Sequence, residues 1–215
     1  MKPEKQKIAE AILLLRILHQ DSNILGNLKL QKEVFLSELN LLRSKMGGLY
    51  YKFFRYTLGA YSPELAESFK LLVERGFVYK SSFKLTDRGM YLVEFTEGAI
   101  KDYRHNAKIL SNIDSTVKQY KHYNGMQLKR IVYDLKLEFD DMPGKKVRVE
   151  DIPTFFDILV PEHSEVSFSL EIPAHILEDI KTELAMDESS WEALGKEDPK
   201  VLKRSKRRLL AALNV

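Results

Sequence analysis

The segment Phe54-Arg-Tyr-Thr-Leu-Gly-Ala-Tyr-Ser-Pro-Glu-Leu65 constrains this chain more than any other, because it dictates where a helix must begin. Ser62 offers a hydroxyl to an unpaired N–H of the first turn. Pro63 suits the first helical position, where its missing N–H costs nothing, and Glu64 complements the positive end of the helix dipole. A helix is therefore predicted from Pro63. Leu65, Phe69, Leu72 and Val73 recur on one face of it, and Gly76 stands where a left-handed residue ends a helix. Gly59 closes an aromatic run three residues before the cap, so a positive φ or a close backbone approach is expected there. Gly59, Tyr61, Ser62 and Pro63 together form a structural turn.

The residues after Gly76 read as a wing: Phe77-Val-Tyr-Lys80, a Ser81-Ser82 turn, Phe83-Lys-Leu85, then Thr86-Asp-Arg-Gly89 leading into Met90–Phe95. Upstream, Pro3–His19 and Leu28–Lys45 have helical spacing, the second closed by Gly47-Gly48. Between them and the capped helix, residues 49–61 carry Tyr50, Tyr51, Phe53, Phe54, Tyr56 and Tyr61 with Lys52 and Arg55 interleaved. That density is expected to be a tightly packed connection, chiefly core.

Downstream, Glu97–Tyr123 and Met126–Phe139 are expected helices, and Asp140-Asp-Met-Pro-Gly144 is a strong breaker. Beyond it the pattern predicts a short helix within Asp151–Val160, a strand over Val166–Ile172, an amphipathic helix over Pro173–Met186 and a basic amphipathic helix over Pro199–Leu213. The fold class is thus mainly α (α+β). A winged-helix-like helical domain with a short β-wing occupies residues 1–139, and a C-terminal helical extension, the expected partner-binding region, occupies 140–215.

At 215 residues the chain is long enough to bury a full core. No apolar run approaches the roughly 20 residues needed to span a bilayer, and the amino terminus lacks the pattern of a signal peptide. A cytoplasmic location away from membranes is expected. Zero cysteines exclude disulfides and thiol chemistry. The net charge of +3 is too mild to announce nucleic-acid binding by the whole molecule. Its distribution is uneven: residues 196–215 hold seven basic side chains against Glu197 and Asp198, a net +5, which leaves the rest at −2.

Leu28-Lys-Leu-Gln-Lys-Glu-Val-Phe35, followed by Phe54-Arg-Tyr-x-x-Gly59-x-Tyr61-Ser62-x-x-Leu65 and the Leu-x-x-x-Gly76-Phe-Val helix end, resembles the Panacea domain. That family includes antitoxins of the SocA type. The similarity runs from about Lys7 to Phe95 and extends towards Phe139, with Ala60 where many relatives have proline. It implies a small helical antitoxin-like regulator that binds a protein partner, such as a cognate toxin, without catalysis or cofactor.

For site residues, the tail combines Leu202, Leu209 and Leu213 with Arg204, Lys206, Arg207 and Arg208. It can dock into a partner groove, contact nucleic acid, or pack on its own domain. Lys80, Lys84 and Arg88 of the wing are candidate nucleic-acid contacts, the basis of the alternative reading as a winged-helix DNA-binding transcription regulator. Against that alternative, the outward residues of the 63–75 helix sum to −1 and lead with Glu64 and Glu67, the wrong sign for phosphates. The aromatic run also fits stacking of single-stranded bases. No catalytic residue is proposed: there is no Walker loop and no Gly-x-Ser-x-Gly elbow, and the five histidines form no His-x-x-x-His pair. Glu138, Asp140 and Asp141 with Lys145 and Lys146 nearby could hold a divalent cation as in a metal-dependent nuclease, but acidic and basic residues flanking a Pro-Gly turn read more simply as a solvated loop, and no metal is expected.

Overall fold

Buried positions recur at helical spacing, and the computed structural model, which describes residues 2–139 and 144–185, is mainly helical with small sheets. Helix α1 (Glu4–Gln20) is buried on nearly every side, with Leu13, Leu14, Leu15 and Ile17 fully enclosed. A helix apolar all round belongs at the centre of a bundle. Around it lie α3 (Pro63–Glu74), α4 (Asp87–Ile100), α5 (Arg104–Tyr120) and α7 (Ala174–Ala185), while α2 (Asn27–Arg43) packs on α5 and α6 (Gly125–Asp134). Arg16 of α1 grips Asp114 of α5 with two bonds of 2.9 and 2.7 Å and also pairs with Glu97 of α4.

The predicted start at Pro63 is observed. Ser62 Oγ accepts from the Leu65 N–H at 3.3 Å, a cap worth about 1 kcal/mol, and Gly76 ends the helix at φ 72°. Residues 77–86, where a wing is expected, carry one antiparallel bridge, Val78 to Leu85, flanked by Tyr79 N–H to Lys84 O at 2.8 Å and Thr86 N–H to Phe77 O at 3.0 Å. Met90–Phe95 lies outside it, because Thr86 Oγ1 accepts from the Gly89 N–H at 3.1 Å and caps α4. The single helix expected over Glu97–Tyr123 is two. The buried Asn106 side chain takes the Ile100 carbonyl at 3.0 Å, which ends α4 and lets the chain turn into α5.

The aromatic run is a β-hairpin. Strand β2 (Phe53–Tyr56) pairs antiparallel with β3 (Gly59–Tyr61), Phe54 opposite Tyr61 and Arg55 opposite Ala60. On its other side β2 pairs with β6 (Asp157–Leu159). This corrects the helix expected within Asp151–Val160: a 3-10 turn over Val149–Asp151 is followed by Pro153, and the chain then spends its hydrogen bonds on β2. Two further pairs form, β1 (Met46–Gly47) parallel to β7 (Phe168–Ser169) and β4 (Lys136–Glu138) antiparallel to β5 (Lys146–Arg148). Residues 144–185 therefore join 1–139 through β5, β6, β7 and α7. Ile158, Leu159, Ile176 and Ile180 enter the same core as α1 and α2.

Gly59 has φ 90°, and a Cβ there would lie 3.2 Å from the Tyr133 ring. Gly59→Val is expected to destabilise the protein by about 1–3 kcal/mol through backbone strain and this contact. Urea unfolding checks it, and an unchanged midpoint would show that the turn tolerates a side chain.

Candidate functional site

Helix α2 is unusual in burying polar side chains along the face that meets the hairpin. Gln31 is enclosed and forms a two-way bridge to Ser62, its Nε2 donating to the Ser62 carbonyl at 2.9 Å and its Oε1 accepting the Ser62 N–H at 2.8 Å. One turn-position away, Lys32 donates to Ala60 O at 2.6 Å. Glu38 accepts from the N–H groups of Leu49 and Tyr50, both at 3.0 Å. From α6, Tyr133 donates its hydroxyl to Thr57 O at 2.7 Å, holding the hairpin tip. The Lys29-Leu-Gln-Lys32 run is thus an anchor: Lys29 pairs with buried Asp21 and donates to Lys121 O at 2.9 Å, and the next two polar residues hold β3.

The anchored hairpin displays one side to solvent. Alternation along β2 sends Phe53 into the core against Phe35 and sends Phe54 and Tyr56 outward. Tyr61 stands opposite Phe54, and Phe155, leading into β6, completes the group. The rings of Phe54, Tyr56, Tyr61 and Phe155 touch one another at centroid distances of 5.5–6.0 Å. Tyr56 and Phe155 are 41% and 70% exposed, Leu58 at the hairpin tip is also exposed, and the Phe156 ring lies against Phe139. Beside the rings, Asp157 stands opposite Phe54 in the β2–β6 pairing and lies 2.7 Å from Lys52. Arg55, between Phe54 and Tyr56, turns the other way, donates to Tyr56 O at 3.0 Å and sits over the Tyr133 ring.

The sequence-predicted residues fall unevenly around this patch. Gly59 and Tyr61 lie in β3, Ser62 caps α3 and Pro63 opens it. Lys80 and Lys84 are exposed on the segment around the Val78–Leu85 bridge. Arg88 is not presented to any ligand: it is buried, donates to Arg75 O at 2.6 Å and to Glu183 O, and lies over the Phe77 ring. Leu202, Arg204, Lys206, Arg207, Arg208, Leu209 and Leu213 lie outside the described residues, as do Asp140 and Asp141. Glu138 accepts the Gly144 N–H at 2.6 Å, and among the described residues no three His, Asp or Glu side chains are placed to hold a metal ion. The outward aromatic group was missed as a unit. Alternation through Phe53-Phe54-Arg55-Tyr56 was the available signal, whereas Phe155 is about 100 residues away and joins only through the β2–β6 pairing.

Compared with family models, curated proteins and solved structures, the chain matches none.

Burial beside α2 shifts several groups. Glu33 is fully enclosed, neither of its oxygens meets a hydrogen-bond partner in ordinary geometry, and burial, reinforced by the Asp21 carboxylate, pushes it up to about 9. Burial likewise lifts Glu38 to about 8 despite its two N–H donors, and lowers Lys32 to about 8. Between pH 4.5 and 8 the folded protein keeps protons on both carboxyls that the unfolded chain has released. Stability from these groups is therefore complete below about pH 4.5 and is lost as pH rises, by up to about 1.4 kcal/mol per unit per group. Above pH 8 the unfolded chain binds the extra proton at Lys32, which offsets the continuing loss at Glu33. Urea unfolding should show stability falling from pH 5 to 8 and levelling above it, with a shallower fall in Glu33→Gln. Equal slopes in the two proteins would contradict the assignment.

Proposed function

We propose that this protein is a non-enzymatic regulator that acts by binding a protein partner, antitoxin-like in the manner of the Panacea-domain proteins it resembles, in the cytoplasm. The observation that carries the reading is the outward group of four rings, the exposed Tyr56 and Phe155 against the half-buried Phe54 and Tyr61, with the Lys52–Asp157 pair beside it. Aromatic side chains at the centre of a desolvated contact supply most of the energy in protein recognition. The helical bundle acts as a rigid support, α2 pins the hairpin, and the hairpin presents the rings. The tail, with its leucines and basic residues, belongs to this proposal as a second contact to the same partner.

The alternative is a winged-helix DNA-binding regulator, with α3 followed by the one-bridge wing. It is favoured by the exposure of Lys80 and Lys84. It is opposed by the burial of Arg88 and by Glu64, Glu67 and Glu74 on α3, of which Glu67 and Glu74 are fully outward. Phosphate-directed binding also needs free cations.

Titration with the protein encoded by the adjacent reading frame separates these readings. Wild type should form a stoichiometric complex, and Phe54→Ala/Tyr56→Ala should weaken it by about 30-fold or more while keeping the helical circular dichroism. A complex unaffected by the double variant would refute the docking face. Salt-sensitive binding of a DNA duplex, abolished by Lys80→Ala/Lys84→Ala, would establish the alternative.

A further inference from the structure

Phe155 sits where local backbone rules ask for another residue. The Phe156 N–H donates to Pro153 O at 3.3 Å, so Pro153–Phe156 is a β-turn with Phe155 in the third position, at φ 68°. Turns with a positive φ there use glycine or asparagine. The same residue opens a bulge. The Phe155 N–H donates to Arg55 O at 2.6 Å while Phe156 O accepts the Arg55 N–H at 2.8 Å, so two residues of one strand oppose one of the other. The left-handed first residue of such a bulge is ordinarily glycine. Both rules are broken by the same phenylalanine.

The other left-handed non-glycine residues among those described each have a local reason. Lys45 follows the end of α2, the N–H of Tyr50 is held by Glu38, and Phe83 stacks on Phe69 at 4.5 Å. Phe155 has neither burial nor a cap, and 70% of its surface faces water. It is therefore unfavourable twice, in backbone strain and in exposed apolar area, and unfavourable local choices of this kind collect at functional positions. Its ring does not swing freely, since Tyr56 at 5.5 Å and Phe54 at 6.0 Å flank it. A side chain held outward in one orientation loses less freedom on binding.

We propose that Phe155 is the anchor of the docking face, set outward by its left-handed backbone and received by an apolar pocket on the partner protein. The proposal rests on the reading of the aromatic face as a protein-docking surface. The charge beside the rings points to the partner's chemistry: Lys52, the cation next to Phe54, is paired with Asp157, so a nucleic-acid backbone would have to compete for it, whereas an apolar pocket leaves the pair intact.

The test compares wild type with Phe155→Gly, Phe155→Asn and Phe155→Trp. Each is titrated with the purified product of the adjacent reading frame and with a single-stranded oligothymidine, and melted alone. Glycine and asparagine relieve the turn, so both variants should melt about 2–4 °C higher than wild type. Both should bind the protein at least about 30-fold more weakly, and tryptophan should keep most of the affinity. Opposite signs in stability and binding are what an anchor predicts and a structural residue does not. If the glycine and asparagine variants bind like wild type while Phe54→Ala/Tyr56→Ala does not, the anchor is refuted and the docking face stands. Lower melting of both variants would make Phe155 structural and also overturn the anchor. Absence of any complex with wild type overturns the docking reading itself. Oligothymidine binding that is lost with Phe155→Gly would overturn the protein pocket.

Discussion

The structure depends on polar side chains of one helix reaching into a hairpin that has too little core of its own. Strands β2, β3 and β6 are four, three and three residues long, and strands this short depend on what they pack against for stability in water. Gln31, Lys32 and Glu38 of α2 supply what the hairpin lacks, by satisfying backbone groups of Ser62, Ala60, Leu49 and Tyr50 in a buried setting. An unmade hydrogen bond there leaves a buried donor or acceptor without water, at about 1–3 kcal/mol each, so the contacts select one hairpin position. The burial that encloses these contacts also raises Glu38, against the pull of its two N–H donors, and lowers Lys32. Stability, charge and the placement of the hairpin are set by one set of residues.

In the proposed reading, function follows from which side of the hairpin faces outward. The inward side delivers Tyr51 and Phe53 to the core, while the outward side gathers Phe54, Tyr56 and Tyr61 and receives Phe155 through β6. Residues beyond the expected boundary at 140–144 therefore help build the aromatic group as well as the core. On this account the bundle is a mount, and regulation comes from occupancy of a small aromatic surface. No chemistry at that surface is required.

Much of the helical framework was legible in the sequence because its signals are local. Ser62-Pro63-Glu64 marks a helix start by capping chemistry, Gly59 marks a left-handed turn, and the apolar spacing of α1, α2 and α7 marks their inward faces. Misreadings arose where a distant partner decides. Asn106, bonded both ways to the Glu171 backbone, takes the Ile100 carbonyl and splits a continuous helical pattern, and β2 draws Asp157–Leu159 into a strand although that stretch is too short and apolar for periodicity to separate helix from strand. Arg88 looked like a surface cation because its neighbours are polar, yet the carbonyls of Arg75 and Glu183 and the Phe77 ring enclose it. The Lys29–Lys32 run carried the family resemblance, while its physical role as a set of buried anchors appears only when Ser62 and Ala60 are brought beside it.

Hydrogen exchange on Gln31→Leu tests that central dependence most directly, since leucine keeps the volume and removes both bonds to Ser62. The account predicts that amides of residues 53–62 and 155–159 lose protection by at least tenfold, which corresponds to about 1.4 kcal/mol of local opening, while α1 and α5 exchange as in wild type. Unchanged protection in the hairpin, or an equal loss across every helix, would contradict it.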